Sequence, residues 1–206
     1  MQTRMIDQNN SLAFQEALHV IKSGGVVAVP TDTVYGIACS VNDPEAIRSL
    51  YEIKIRDCLK AIPVLIADHN QIDLVANNLN SHALKLAEFF WPGALTIIVE
   101  KNLLLPKNLT IHQTVGIRMP DHDWLRAFIR ESGPLAATSA NISGETSPSS
   151  ARQVLAQLDG RIELIIDGGE CKGGISSTVV DCNADEILIL REGGITPEEI
   201  HSVLNK

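Results

Sequence analysis

Val26-Val27-Ala28-Val29-Pro30-Thr31-Asp32-Thr33-Val34-Tyr35-Gly36 joins a β-branched apolar run to a cluster of hydrogen-bonding side chains. A run of that composition suits a strand buried on both faces. Pro30 ends it, because proline has no N–H to give a ladder. Thr31, Asp32, Thr33 and Tyr35 then fall at the strand's end, where polar groups are held rigidly yet can face solvent or a ligand. On this stretch alone, a hydrogen-bonded turn and a binding loop are equally good readings. Gly36 re-enters an apolar run, and a second strand is predicted over Ile37–Ser40.

Working outward, Ser11 is expected to cap a helix running to about Ser23, with Phe14, Ala17, Leu18 and Ile21 on one face and Gly24-Gly25 as its stop. Asp43-Pro44-Glu45 supplies an N-cap, an N1 proline and a first-turn acid, so a helix begins there. Ile62–Ala67, Ala94–Glu100, Val115–Met119, Leu135–Thr138, Ile162–Ile166, Ser177–Asp181 and Ile187–Arg191 read as strands. Helices are predicted over Gln71–Ala76, Ser81–Phe90 (stopped by Trp91-Pro92-Gly93), from Asp121 or Asp123 through Ile129, and over Ala151–Leu158. Thr196-Pro197-Glu198-Glu199 is a capping box opening a last helix. Helices and strands interleave with no internal repeat and no linker. These features predict one mixed α/β domain over residues 1–206, with parallel and antiparallel pairs in its sheet.

The chain has 206 residues, 45% of them hydrophobic, enough for one large core, and with aromatics at only 4% that core must be aliphatic. A formal charge of −8 counts against a generic nucleic-acid or membrane surface. No apolar run approaches the ~20 residues of a spanning helix. Met1–Ser11 lacks the basic-then-apolar order of a signal peptide. Cys39, Cys58, Cys171 and Cys182 are scattered without a C-x-x-C, which reads as reduced thiols of a cytosolic protein. No histidine pairing supplies a zinc site, and Asp121-His122-Asp123 reads as helix capping, so no metal held by protein ligands alone is expected. P-loop, dinucleotide, G-x-S-x-G and H-E-x-x-H patterns are all missing.

What remains is a set of cations at element ends. Lys54, Arg56 and Lys60 follow a helix, Arg118 and Arg191 end strands, and Ser139-Ala140-Asn141 offers hydroxyl, amide and backbone donors. Any one of these charges suits a helix C-terminus or a solvated surface. Together they suit an anion with several phosphate or carboxylate oxygens, hence a nucleotide site without a P-loop.

Pro30-Thr31-Asp32-Thr33-Val34-Tyr35-Gly36, Lys54-x-Arg56 with Lys60, Gly116-Ile117-Arg118-Met119-Pro120, Ser139-Ala140-Asn141-x-Ser143-Gly144, Ser177-Thr178-Val179-Val180-Asp181 and Leu190-Arg191-Glu192-Gly193 come in one order. In that order they resemble the YrdC-like family of threonylcarbamoyl-AMP synthases, over about Ala13 to Ile200, in its short stand-alone form. The resemblance implies a YrdC-like domain with a core at about 13–200, a twisted mixed sheet and flanking helices around a concave site. It further implies a cytoplasmic nucleotidyltransferase that joins L-threonine, bicarbonate or carbon dioxide, and ATP, and releases pyrophosphate. Its product serves N6-threonylcarbamoyladenosine formation in tRNA, through downstream threonylcarbamoyl-transfer proteins. Magnesium would arrive with ATP.

By position, the resemblance places Thr33, Arg118, Ala137 and Ser177 on the threonine side, with Arg118 paired to the carboxylate and Ala137 contributing backbone. It places Arg56, Lys60, Thr114, Ser139, Asn141, Ser147 and Arg191 on the ATP side, and Lys54 with Arg56 at the reacting groups as catalytic residues. Arg118→Ala is expected to cripple threonine use while leaving the fold intact. The chain departs from the family in carrying Asp57 and Ala61-Ile62 at positions that often hold proline and Pro-Leu. Leu65 stands where many members have a threonine-side histidine; His69 lies nearby but is not taken as its substitute. Two competing readings are an RNA-binding or ribosome-maturation module with weak RNA affinity, and carbamoyl transfer to a different acceptor.

Overall fold

A computed structural model describes residues 2–77, 79–184 and 186–205. Its strands are β1 (Arg4–Asp7), β2 (Val27–Val29), β3 (Gly36–Ser40), β4 (Val64–Leu65), β5 (Leu95–Glu100), β6 (Thr114–Arg118), β7 (Leu135–Ser139), β8 (Leu164–Asp167), β9 (Thr178–Asp181) and β10 (Leu188–Arg191). The α-helices are α1 (Ala13–Lys22), α2 (Pro44–Lys54), α3 (Ile72–Val75), α4 (Ser81–Phe90), α5 (Asp123–Ser132), α6 (Ala151–Leu158) and α7 (Pro197–Leu204). All the strands join one sheet in the order β1-β8-β2-β3-β7-β4-β6-β5-β9-β10. β1 and β2 run parallel to β8, β4 to β6, and β5 to β9, while β3 is antiparallel to both β2 and β7. The mixed sheet with flanking helices is the architecture expected.

The valine run shows why this sheet is covered on both sides. Val27 and Val29 enter one apolar cluster, Val26 and Ala28 the other. The same alternation divides Ile37 and Cys39 from Ala38, and Ile165 from Leu164 and Ile166, as a period of two requires. One face is closed by α2, α4, α6 and α7. The other is closed by α1 and α5, held together by Phe14 edge-on to Trp124 and Phe128 at 5.7 and 5.6 Å.

That second cover is incomplete, and the gap positions the site. Among the described residues, the cluster under α1 and α5 takes side chains from β2, β3, β4, β7 and β8 but none from β5, β6 or β9. On β5, Leu95, Ile97 and Val99 point into the opposite core, so Thr96 and Ile98 face the open side. Gly116 and Arg118 on β6 and Val179 on β9 face the same way.

Local signals decided most ends. Asp43 Oδ1 accepts from the Glu45 and Ala46 N–H groups, and Thr196 with Glu199 forms the complete capping box. Three expectations need correction. Ser11 does not cap α1; Asn10 makes the turn, its Oδ1 accepting from Leu12 N–H at 2.9 Å. The cap of α5 is His122, whose Nδ1 accepts from Leu125 N–H, while Asp123 pairs with Arg126 at 2.7 Å. The strand expected over Ile62–Ala67 shrinks to Val64–Leu65; Pro63, which has no N–H to give, limits it on the N-terminal side.

α2 stops at Lys54 because Ile55 turns left-handed, at φ 52°. A β-branched residue in that region carries roughly 1–3 kcal/mol of strain. Ile55 is 66% exposed, so removing its side chain empties no core. Ile55→Gly is expected to raise stability by about 1 kcal/mol, a gain of about 2–4 °C in melting temperature by calorimetry. An unchanged or lower melting point would mean that the turn is unstrained.

Candidate functional site

The polar turn after β2 is folded onto itself. Thr31 Oγ1 donates to Val34 O at 2.7 Å, accepts from Thr33 N–H at 3.0 Å, and lies 2.9 Å from Thr33 Oγ1. Behind it, fully buried Tyr35 donates to Gly169 O at 2.8 Å and accepts from Gly168 N–H at 3.1 Å; burial pushes its phenol up. Gly173 N–H and Gly174 N–H donate to Asp32 O and Thr33 O. A Cβ on Gly173 would sit 2.6 Å from Asp32 O, so only glycine allows this approach. The Gly168–Gly174 loop is thereby tied to the turn along its length.

Arg118, at the end of β6, is buried and three ways bonded. Nε donates to Gly93 O at 3.0 Å, Nη1 to Thr33 Oγ1 at 2.9 Å, and Nη2 pairs with the Asp32 carboxylate. Just before β9, Ser177 Oγ lies 2.8 Å from Thr96 Oγ1 on the neighbouring β5. Arg191 donates Nε and Nη2 to Ser177 O at 3.0 and 2.8 Å, and Nη2 also reaches Ser177 Oγ at 3.2 Å. Arg56 donates to Lys60 O and Ala61 O at 3.1 and 2.9 Å. Between these groups lies a cavity of about 270 Å³, at the low end of small-molecule sites. Its walls combine Thr33, Ser139, Ser177 and the three arginines with an aliphatic floor that includes Leu65, Ile98 and Val179.

The three guanidiniums feel one another. Burial holds all of them below the usual arginine range; the Arg56 charge depresses Arg191 further, and Arg191 depresses Arg118, where Asp32 opposes the shift. Among the described residues, only Arg118 of the three has a carboxylate at salt-bridge distance. Arg56 and Arg191 are aimed by neutral carbonyls rather than by an ion pair, and although Asp57 partly offsets the Arg56 charge, both can meet an anion in the cavity. The arrangement can bind and polarise an anion with several oxygens beside a small amino- or hydroxyl-bearing group.

The cavity gathers Thr33, Arg118, Ala137 and Ser177 from the first predicted set, and Arg56, Ser139 and Arg191 from the second. Lys54, Lys60, Thr114, Asn141 and Ser147 do not line it. Lys60 is exposed and Thr114 begins β6 at the far end of the strand from Arg118. Asn141 points inward, its Nδ2 donating to Ile142 O and Glu145 O. Lys54 is sealed behind the wall with its Nζ among three oxygens; burial, then the Arg56 charge, presses its ammonium down to about 7. The Ser139-Ala140-Asn141 turn has fewer free donors than expected, because Ala140 and Ile142 N–H groups are taken by Tyr35 O and Gln157 Oε1. Sequence reading missed Thr96 and the Gly93 carbonyl. Thr96 sits among apolar neighbours on β5, and its polar position in an otherwise aliphatic strand was the available signal.

The family model Sua5/YciO/YrdC, described as telomere recombination, matches residues 19–193. The chain belongs to the Sua5/YciO/YrdC family. It is 42% identical over 198 residues to the threonylcarbamoyl-AMP synthase of Bacillus subtilis, covering 95% of this chain and 57% of that protein. It is 35% identical over 198 residues to the putative threonylcarbamoyl-AMP synthase of Mycobacterium tuberculosis, covering 96% and 91%. Sua5 of Pyrococcus abyssi, solved in complex with L-threonine, superposes with a TM-score of 0.94 at 38% identity, over 98% of this chain and 61% of that one. The chain spans 57% and 55% of the length of its Bacillus subtilis and Pyrococcus abyssi relatives.

The departures of this Sua5/YciO/YrdC member have visible consequences. At Asp57, a position often held by proline, the carboxylate accepts from Leu59 N–H at 2.9 Å and makes the turn itself. Leu65 lines the cavity, where it supplies shape but no hydrogen bond. His69 packs against Trp91 at 6.2 Å and is not in the wall.

Proposed function

We propose that the chain is a threonylcarbamoyl-AMP synthase, using L-threonine, bicarbonate or carbon dioxide, and ATP as its magnesium complex. The observation that carries this reading is the cavity itself. It sets the Arg118 guanidinium beside paired hydroxyls, with two further guanidiniums free of ion pairs in the same wall, in a chain about two-fifths identical to a protein of that name. Arg118, aimed by the Thr33 oxygen, would hold the amino-acid carboxylate, and Ser177 with Thr96 its polar side. Arg56, Arg191 and Ser139 would hold phosphate oxygens. The amine nitrogen, uncharged, bonds to the carbon of carbon dioxide and gives up a proton, forming a carbamate. A carbamate oxygen then bonds to the α-phosphorus as the bond to the bridging oxygen breaks, and pyrophosphate leaves. Both steps crowd negative charge, so positioning and fixed positive charge account for the catalysis better than a strong acid–base pair. The mixed anhydride would serve tRNA modification through proteins that transfer the threonylcarbamoyl group.

The test is pyrophosphate release from ATP, magnesium and bicarbonate with threonine, with serine and with no amino acid, followed by mass spectrometry of the product. Threonine-dependent release with threonylcarbamoyl-AMP present is the expected result. ATP binding without threonine-dependent release would move the reading to another acceptor.

A further inference from the structure

Lys54 has a charge suited to an anion site, yet it faces away from the cavity. It is 1% exposed, with Nζ 2.5 Å from Ser139 O, 2.5 Å from Asn141 O and 3.3 Å from Asn141 Oδ1. An ammonium has three N–H groups, and here an oxygen stands before each. The contact is returned, because Ser143 N–H donates to Lys54 O at 2.8 Å. The left-handed turn at Ile55 explains how two nearby cations part company. It ends α2 with Lys54 directed at the 139–143 backbone, while Arg56 beyond it reaches the cavity.

We propose that Lys54 is a positioning residue: its ammonium fastens the end of β7 and the Ala140–Glu145 loop to the end of α2 and fixes how Ser139 is presented in the cavity wall that Arg56 shares. The carbonyls of Ser139 and Asn141 are drawn toward Nζ, so their negative ends face away from the cavity. An anion then meets the Ser139 side of the loop and a guanidinium instead of two carbonyl dipoles. A buried ammonium is costly unless every N–H is bonded, so the three oxygens and the charge maintain one another. The other ties of this stretch are neutral: the β3–β7 pairing of Gly36 with Ser139, and bonds from Ala140 N–H to Tyr35 O, from Ile142 N–H to Gln157 Oε1, and from Asn141 Nδ2 to Glu145 O. The inference rests on the proposed reading that phosphate oxygens occupy this end of the cavity.

Two measurements on the full chain test it, and neither needs turnover. In the wild-type protein, acetylation by N-hydroxysuccinimide acetate is followed by mass spectrometry with and without α,β-methylene-ATP. Lys54 is expected to react at least roughly tenfold more slowly than exposed Lys60 in both conditions. In Lys54→Met, amide exchange at Ala140, Ile142 and Ser143 in the nucleotide-free protein is expected to accelerate by roughly tenfold or more, with a comparable loss of α,β-methylene-ATP affinity. Affinity for threonine stays within about twofold, since Arg118, Thr33 and Ser177 lie outside the loop. Ready acetylation of Lys54 that nucleotide then blocks would make it a direct ligand and overturn the proposal. So would unchanged loop protection in Lys54→Met. The footprint uses wild-type protein, so a variant that fails to fold does not leave the question undecided. Absence of threonine-dependent pyrophosphate release would count against the activity alone, leaving both readouts interpretable.

Discussion

Arg118→Ala is expected to lower kcat/KM for threonine by at least ~100-fold and to cost about 3 kcal/mol of stability. The first effect follows from the proposed role of Arg118, the cavity arginine bonded to Thr33, in holding the amino-acid carboxylate. The second adds a cost that sequence could not show to the expectation that the fold stays intact. Arg118 is almost wholly buried, and its partner carboxylate on Asp32 is only 16% exposed. Deleting one member leaves a nearly desolvated charge without its counterion, and Gly93 O and Thr33 Oγ1 lose a donor as well. A domain with ordinary stability survives that loss, so the kinetics stay measurable. The two effects separate in a cycle with Asp32→Asn/Arg118→Gln, followed by denaturant unfolding and by titration with α,β-methylene-ATP. The double variant should recover most of the stability and none of the threonine turnover, with nucleotide affinity within a few-fold of wild type. Unchanged threonine kinetics in Arg118→Ala would place the amino-acid carboxylate elsewhere.

The buried pair behind that cost marks the boundary of what was readable in the chain. Val26–Val29 announced its two-sided burial through composition, and Asp43 and Thr196 announced helix starts, because each signal acts over a few residues. The cavity was legible as a set of polar strand ends, and Thr33, Arg118, Ala137 and Ser177 do meet there. β1 was not legible: Arg4–Asp7 is mostly exposed, alternates weakly, and is a strand only because β8 pairs with it from far along the chain. Nor could spacing show that Asp32 would occupy Arg118, a contact spanning 86 positions. Lys54 and Arg56 look equivalent as a pair of cations. Their separation depends on a left-handed isoleucine, a conformation that no propensity for that residue type would favour.

Gly193→Ala should cause a loss of similar size from a single methyl group. A Cβ at this position would lie 2.5 Å from Ser177 C and from Thr178 N, and closer still to Ser176 O. All three are backbone atoms, which cannot swing aside as the tip of a side chain can. Either the 176–178 segment or the turn after β10 must move, at about 1–3 kcal/mol. The displacement falls on Ser177, whose carbonyl receives both Arg191 bonds and whose hydroxyl meets Thr96. A shift of about 1 Å in a positioning group is enough for a ~100-fold loss in kcat/KM. Gly193→Ala is therefore expected to lose threonine-dependent pyrophosphate release to that extent and to melt about 5 °C lower. Gly194→Ala is the control, since its Cβ would meet only Ala94 Cβ, at 3.3 Å. It should keep activity within a few-fold of wild type. Equal losses in both variants would point to the conformational freedom of the two-glycine turn, whereas a fully active Gly193→Ala would mean that the close approach of β10 to Ser177 plays no part in setting the site.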